Sequence, residues 1–178
     1  MAERFLVDGR FGNKLPVLHL GQNLPFAPMV KAWARKERML AKEDLSPDLI
    51  PQITTRVLST RYPAYSVKGG VFDALSATQG VMHGITNDQV YASMDLFQRT
   101  EGSDIVPAAG VAVASLEQAV QNGQVRADEA ILLNITGGGE KRLSSDKKIP
   151  CNEKPRLVSK NITEQEIEEL LCPVLKKS

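Results

Sequence analysis

Apolar residues along the chain alternate between short β-like runs and stretches with helical spacing. The β-like runs predict strands at residues 15–21, 54–59, 81–85 and 130–135, with a brief extended segment at 105–106. Helical spacing predicts helices at residues 29–41 and 71–76, after 86–89, after Pro107, and from Thr163 to Pro173. Strands that alternate with helices in this way predict an α/β fold.

Several helix ends carry local signals. Thr86 and Gln89 have capping-box spacing, Pro107 suits a first helical position, and Asn122-Gly123 is a stop signal. Residues 141–154 are charged and contain proline, which predicts a loop. Right-handed crossovers would make the sheet mostly parallel and place helices on both faces, so we expect a single α/β region over residues 1–178.

Composition narrows the class of protein. The 178 residues are 42% hydrophobic and 24% charged, as in globular proteins, and suffice for one domain. The net charge of +1 argues against a nucleic-acid partner. The apolar runs are too short to span a membrane, and the first residues lack a signal peptide's apolar stretch, so we expect a cytoplasmic protein.

The cysteines and histidines indicate no functional site. Cys151 and Cys172 are isolated, without the spacing of a zinc site, so no metal is predicted. His19 and His83 lie far apart in sequence, and each is interpreted as satisfied locally.

The best candidate for a ligand contact is Thr136. It follows the β-like run 130–135 and precedes three glycines, and ligands of parallel sheets bind beyond the carboxyl ends of strands. The glycines alone favour a flexible turn, and a phosphate-binding nest is the competing interpretation, because no complete phosphate-loop pattern is present.

Three segments together resemble the C-terminal part of the threonine-synthase-like, fold-type II enzymes that use pyridoxal 5'-phosphate (PLP). Residues 15–29 read LPVLHLGQNLPFAPM, residues 101–112 read EGSDIVPAAGVA, and residues 133–139 read LNITGGG. The last segment is similar to the family's strand ending in Thr-Gly-His-Gly, with Gly138 in place of the histidine. Residues 9–12 and 22–28 make the cysteate synthases the closer likeness.

The resemblance implies both a function and a site. It implies β-replacement, in which O-phospho-L-serine and sulfite give L-cysteate and phosphate on the way to coenzyme M in methanogens, by a homo-oligomeric enzyme. Thr136 would meet the pyridine nitrogen of PLP. The family's Schiff-base lysine and phosphate loop belong to a preceding part that has no counterpart here, so no catalytic residue is assigned and the isolated chain is expected to be inactive.

The remaining charged candidates receive no assignment from the sequence. Lys68 stands in a Ser-x-Lys-x-Gly sequence, but it follows residues 22–29, whereas the family's lysine precedes them. Glu101 is either solvated or near the cofactor ring. Surface positions are favoured over anion contacts for the three available arginines, which are Arg10, Arg56 and Arg61. Two alternatives stay open: a threonine synthase acting on O-phosphohomoserine, and a non-catalytic subunit that keeps the fold.

Overall fold

The computed structural model describes Gly9, Gly12 and residues 14–147, 158–159 and 161–175. Within these residues it contains two strands, six α-helices and three short 3-10 helices. The strands are β1 (His19–Asn23) and β2 (Val81–Ile85). The α-helices are α1 (Pro28–Ala34), α2 (Val71–Thr78), α3 (Asn87–Glu101), α4 (Pro107–Gln121), α5 (Glu140–Lys147) and α6 (Glu164–Leu175). The 3-10 helices are Lys42–Leu45, Pro47–Gln52 and Arg56–Leu58. The predicted α/β class is confirmed.

The two strands pair in parallel, from His19 opposite Val81 to Asn23 opposite Ile85. The strand predicted at 81–85 is confirmed at both ends. The first strand begins four residues later than predicted, at His19 rather than residue 15. Pro16 has no backbone N–H to give to a ladder, and pairing becomes regular only after the Val81 N–H bonds to the Leu18 carbonyl at 2.8 Å.

Helices cover both faces of this small sheet. On one face the Gln22 side chain accepts hydrogen bonds from the Met29 and Val30 N–H groups, at 2.9 and 3.2 Å, and so caps the start of α1. On the other face α4 packs so closely that a methyl group added at Gly21 would meet Ser115 Oγ and lie 2.8 Å from Val111 Cγ1. The sheet is therefore enclosed between α1 and α4.

Helix α3 lies against α4 and completes the core. A methyl group at Gly110 would lie 2.8 Å from Met94 Cγ and 3.1 Å from the Val90 carbonyl oxygen, so the small residue sets the helix spacing. The predicted capping box of α3 is confirmed: the Gln89 N–H donates to Thr86 Oγ1, and the Thr86 N–H donates to Gln89 Oε1. The start of α4 at Pro107 is also confirmed.

Other helix limits depart from the predictions. Helix α1 ends at Ala34 rather than residue 41, and Lys36 adopts a left-handed conformation with φ of 60°. Residues 140–147 form α5, where a loop was predicted. The terminal helix begins after the predicted Thr163 cap but runs past Pro173 to Leu175.

Two predicted strands are wrong. Residues 56–58 of the 54–59 run form a 3-10 helix. Residues 130–135 form no regular element and pair with no strand in the described part of the chain. Downstream of that run, Ile105 and Gly138 form an antiparallel bridge. Pairing cannot extend from Gly138 back to residues 130–135, because their partners would have to follow Val106. At that point the chain enters α4 at Pro107.

Candidate functional site

The carboxyl ends of the strands and the first turn of α4 lie at the same end of the molecule. Gln118, late in α4, contacts His83 in the middle of β2, whereas Val111 and Ala114, nearer the helix start, pack with Ile85 at the strand end. Helix α4 therefore runs antiparallel to the strands. This is the edge at which parallel sheets bind ligands, and the partial positive charge of a helix N-terminus faces it.

Asn23 organizes this edge at the end of β1. Its side chain is 1% exposed. Its Nδ2 donates to the Ile85 carbonyl at 2.9 Å, and its Oδ1 accepts from the backbone N–H and the hydroxyl of Thr55, both at 3.1 Å. The buried amide thus connects both strand ends to the segment before the third 3-10 helix.

Asn87, just beyond β2, holds the same segment from the other strand. Its Oδ1 accepts from the Thr54 N–H at 3.0 Å, and its Nδ2 donates to the Gln52 carbonyl at 2.8 Å. The N–H groups of Thr54 and Thr55, in the segment that was predicted as a strand, therefore donate to two asparagine side chains. Arg56 follows directly and is exposed at this edge.

The three glycines form a packed turn. The Val106 N–H donates to the Gly137 carbonyl at 3.1 Å, and the Gly139 N–H donates to the Asp104 carbonyl at 2.7 Å. A side chain at Gly138 would collide with the Asp104 backbone, so only glycine allows this approach. The turn interpretation therefore explains these glycines without a ligand.

A carboxylate occupies the position that a bound phosphate would use here. The Lys141 N–H, in the first turn of α5, faces both Asp104 carboxylate oxygens at 3.3 and 3.4 Å. Anions are stabilized at helix N-termini, and Asp104 supplies one from within the chain. The geometry gives no support to a phosphate nest at residues 137–139.

Thr136 is exposed, and the glycine that follows it is bonded to the residue before α4. Thr136 therefore lies near the first turn of α4, at the carboxyl edge of the sheet. An open cleft of about 450 Å³ lies alongside it. The cleft is lined by Phe97, Glu101, Ser103, Asp104, Ile105, Ile135 and Gly137 to Gly139. Thr136 itself is at the margin, between two lining residues.

The charge of this cleft is negative. Two of its lining residues, Glu101 and Asp104, carry carboxylates, and no lysine or arginine lines it. Such a surface does not suit a phosphate group but can accept the neutral or cationic part of a ligand. Glu101, which the sequence left unassigned, lines this cleft.

The other sequence candidates are dispersed. Lys68 is exposed in a turn of residues 67–70, and its neighbour Gly69 donates its N–H to Asp73 at 2.7 Å. Arg61 is exposed, with its Nε 3.4 Å from the Leu45 carbonyl oxygen. Arg10 and Cys151 lie outside the described residues. The described part of the chain holds no group of three or more metal-binding side chains and no helix long and apolar enough to cross a membrane.

The structure joins two histidines that sequence reasoning treated separately. His19 Nδ1 lies 3.0 Å from His83 Nε2, and His83 Nδ1 lies 2.8 Å from Gln118 Oε1. Because an amide oxygen only accepts, we assign the proton of His83 to Nδ1, and His19 then donates to His83. The ring centres are 5.3 Å apart and the ring planes are nearly parallel, inclined by 15°. The pair begins at the amino end of β1, away from the carboxyl edge.

We expect this histidine pair to make stability fall in mild acid. Burial, and then repulsion by His83, lower the pKa of His19 below its ordinary 6.5, and Glu129 opposes this only in part. As the pH falls below about 6.5, His19 of the unfolded chain takes up a proton before His19 of the folded chain does. The free energy of unfolding therefore decreases from about pH 6.5 down to the pKa of His19 in the folded chain.

Urea midpoints at about pH 7.5 and about pH 5.5 measure this effect. The control is His19→Asn, whose amide can still donate to His83 but does not titrate. A smaller decrease in the variant than in the native chain is expected, and equal decreases would contradict the assignment.

Comparison with known proteins identifies the group to which the chain is related. No family model matches it. Cysteate synthase of Methanoculleus marisnigri is 48% identical over 148 residues, which are 82% of this chain and 34% of that protein. The cysteate synthase of Methanocella arvoryzae is 49% identical over 146 residues, or 80% of the chain and 35% of the relative. That of Methanocella paludicola is 46% identical over 171 residues, or 91% and 40%.

The chain thus spans about a third of the length of the relatives it matches. Its identity to them is close to one half over at least four fifths of its own length. The chain therefore belongs to the cysteate synthases, of which it represents a part.

Proposed function

We propose that this chain works as part of a PLP-dependent enzyme that converts O-phospho-L-serine and sulfite into L-cysteate and phosphate, a step toward coenzyme M. The observation that supports this most strongly is the identity of 46–49% to proteins named cysteate synthase. The same proposal includes a cytoplasmic location and a homo-oligomeric assembly. It also includes small molecules as the only partners.

The described residues fit one end of the cofactor. The Thr136 hydroxyl, exposed beside a cleft without cations, suits a hydrogen bond to the pyridine nitrogen. The phosphate of PLP needs cationic or N–H donors, which this cleft does not offer, so other parts of the enzyme would hold it. When bound, PLP supplies the electron sink that lets a β-substituent leave.

The reaction exchanges one bond at the substrate's β-carbon. The Cβ–O bond breaks and phosphate leaves with the bonding electrons. Sulfite then forms the new Cβ–S bond with its sulfur lone pair, while the α-proton is removed and later returned. Both the leaving group and the nucleophile are anions. Arg56, exposed at the edge that the two asparagines organize, is the described cation that we propose to attract them.

A chimeric enzyme tests the proposal. In the Methanoculleus marisnigri relative, residues of this chain replace the 148-residue matched stretch, which leaves the rest of that enzyme intact. The chimera is supplied with O-phospho-L-serine, with and without sulfite, and cysteate is measured by mass spectrometry. Cysteate that depends on sulfite is the expected result.

Two other outcomes would replace the proposal. Threonine from O-phosphohomoserine and water, without cysteate, would establish the threonine synthase alternative. A folded chimera that binds PLP but turns over neither substrate, beside an active parent enzyme, would favour a non-catalytic role for this chain.

Replacing Thr136 by valine in the chimera tests its contact with the cofactor. Valine keeps the shape but removes the hydroxyl, so we expect a shift of the cofactor's visible absorption and roughly tenfold slower cysteate formation, the value of about one hydrogen bond. Thr136→Ser, which keeps a hydroxyl, is the matched control. An unchanged spectrum and an unchanged ratio of cysteate to by-products in Thr136→Val would refute the contact.

A further inference from the structure

Arg56 is held in place by its neighbours on both sides. Thr55, before it, is fully buried, and both its N–H and its hydroxyl donate to Asn23 at the end of β1. Leu58, after it, packs against the buried cluster that contains Ile85, the last residue of β2. The Leu58 N–H also donates to the Thr55 carbonyl at 2.8 Å, which closes the turn around Arg56. The backbone of Arg56 is therefore fixed beside the carboxyl ends of both strands.

Thr54 completes this support from the side of α3. Its N–H donates to Asn87 Oδ1 at 3.0 Å, and its hydroxyl lies 3.2 Å from the hydroxyl of Tyr91, in the first turns of α3. Asn87 in turn donates to the Gln52 carbonyl at 2.8 Å. Asn23 and Asn87 thus hold two consecutive N–H groups, and each asparagine comes from the end of a different strand.

The guanidinium of Arg56 is available to an external ligand. Three other arginines are each paired with a carboxylate, namely Arg35, Arg38 and Arg126. Arg56 is exposed and forms no ion pair with a described residue. A guanidinium binds phosphate-like groups through a planar fork of N–H donors, so its direction matters as well as its charge. A fixed backbone beneath this guanidinium limits the directions that it can take.

We propose that Asn23 and Asn87 are positioning residues that act through Arg56, by holding it where it binds the oxyanion that leaves or enters at the substrate's β-carbon. The ligand class is a compact oxyanion, of which phosphate and sulfite are examples. The asparagines touch no substrate, and their part is to fix Thr54 and Thr55. The use of the oxyanion in catalysis rests on the proposed function, whereas the hydrogen bonds that fix Arg56 do not.

Calorimetric titration with inorganic phosphate tests oxyanion binding without turnover. The protein is the chimera with the Methanoculleus marisnigri enzyme. Arg56→Ala is expected to weaken phosphate binding by about tenfold, the value of one hydrogen bond to a charged group. Asn87→Ala is expected to weaken it by about threefold, because the guanidinium remains but must be ordered on binding. Phosphate that does not bind the unaltered chimera would overturn the proposal.

Arg126→Ala is the matched control for the loss of a positive charge. That arginine is exposed and paired with Asp128, in a turn whose Glu129 interacts with His19 at the amino end of β1. The turn lies away from the carboxyl edge, so the variant is expected to bind phosphate as the unaltered chimera does. A loss equal to that of Arg56→Ala would mean that net charge alone attracts phosphate, and the proposal would fail.

A double-variant cycle distinguishes positioning from a general structural role. If Asn87 acts through Arg56, its loss should have no further effect on phosphate binding once Arg56 is replaced by alanine. Independent, additive effects of the two substitutions would contradict the proposal. If Asn87→Ala does not fold, Asn87→Ser takes its place, since the shorter side chain cannot span Thr54 and Gln52.

Kinetics separate this proposal from the enzymatic one. In a chimera that forms cysteate, Arg56→Ala and Asn87→Ala should raise the KM for sulfite by about tenfold and threefold and change kcat by less than roughly twofold. A lower kcat with an unchanged KM would exclude the positioning role. Phosphate binding that depends on both residues, without any cysteate, would refute the enzymatic function alone. Cysteate formation with unchanged phosphate affinity in both variants would refute the positioning role alone.

Discussion

Replacing Asn23 by alanine is expected to lower the free energy of unfolding by roughly 2–4 kcal/mol. The buried amide makes three close hydrogen bonds, and its loss would leave the Thr55 N–H and the Ile85 carbonyl without the Asn23 side chain in a site that is closed to water. Each lost bond costs about 1 kcal/mol, and an orphaned buried donor adds about 1–3 kcal/mol. Urea unfolding of the isolated chain measures the change.

Asn87→Ala is the matched control for this experiment. That asparagine bonds to the same segment, but its bond to Gln52 is exposed, so water can replace much of what alanine removes. We expect a loss of about 1 kcal/mol or less. Equal losses for the two variants would show that burial is not what makes Asn23 important.

Thr55→Val separates the two bonds that Asn23 accepts. Valine removes the hydroxyl but keeps the backbone N–H, so its effect should be smaller than that of Asn23→Ala. The double variant should lose less than the sum of the single losses, because both substitutions remove the same hydroxyl contact. Strict additivity would contradict direct coupling of these side chains.

The helices were largely predictable because their signals are local. A helix makes its hydrogen bonds within one segment, so Thr86, Gln89 and Pro107 were sufficient to place the starts of α3 and α4. The error in α1 arose from Lys36, whose left-handed conformation is rare for lysine and carries no sequence signal.

The strands were less predictable because each needs a partner. Residues 130–135 are more apolar than residues 81–85, yet only residues 81–85 have a neighbouring strand in the described structure. Composition reports the tendency of a segment to pair but not whether a partner is present. At residues 54–55, the side chains of Asn23 and Asn87 took the N–H groups that a ladder would have used.

The candidate site was likewise predictable where the signal is local and not where it depends on contacts between distant segments. Sequence placed Thr136 beside the glycines, and the order of elements placed it at the carboxyl edge of the sheet. It did not reveal that Asp104 fills the helix terminus after those glycines, because the two segments are 37 residues apart. The His19–His83 pair was missed for the same reason, because the register of the two strands, with His83 opposite Gly21 and two residues on from His19, is not visible in the sequence.

Gly21 has a role that only packing reveals. It lies in β1 on the face covered by α4, and a side chain added there would collide with Ser115 and Val111 of that helix. His83, its partner in β2, is buried on the same face and bonds to Gln118 of that helix. A glycine here allows α4 to lie on the sheet with its first turn at the carboxyl edge, beside Thr136.

Gly21→Ala is therefore expected to destabilize the chain by about 2–3 kcal/mol. The new methyl group would meet Ser115 Oγ and lie 2.8 Å from Val111 Cγ1, so α4 would have to move away from the sheet. Adding Ser115→Ala should recover part of the loss, since that hydroxyl bonds within its own helix, to the Val111 carbonyl at 2.8 Å.

Gly84→Ala is the matched control, because it changes a glycine of β2 on the opposite face. Its added methyl group would lie 3.3 Å from the nearest atom, Cδ1 of Leu24, a flexible side chain that can adjust. We expect it to change the free energy of unfolding by less than about 1 kcal/mol in urea titrations. Similar losses at Gly21 and Gly84 would mean that strand propensity, rather than the closeness of α4, requires these glycines.

Hydrogen exchange gives a second measurement of the same effect. Val106 directly precedes α4, so a movement of α4 would disturb the hydrogen bond from the Val106 N–H to the Gly137 carbonyl. Gly21→Ala should therefore speed hydrogen exchange at the Val106 N–H, whereas Gly84→Ala should not.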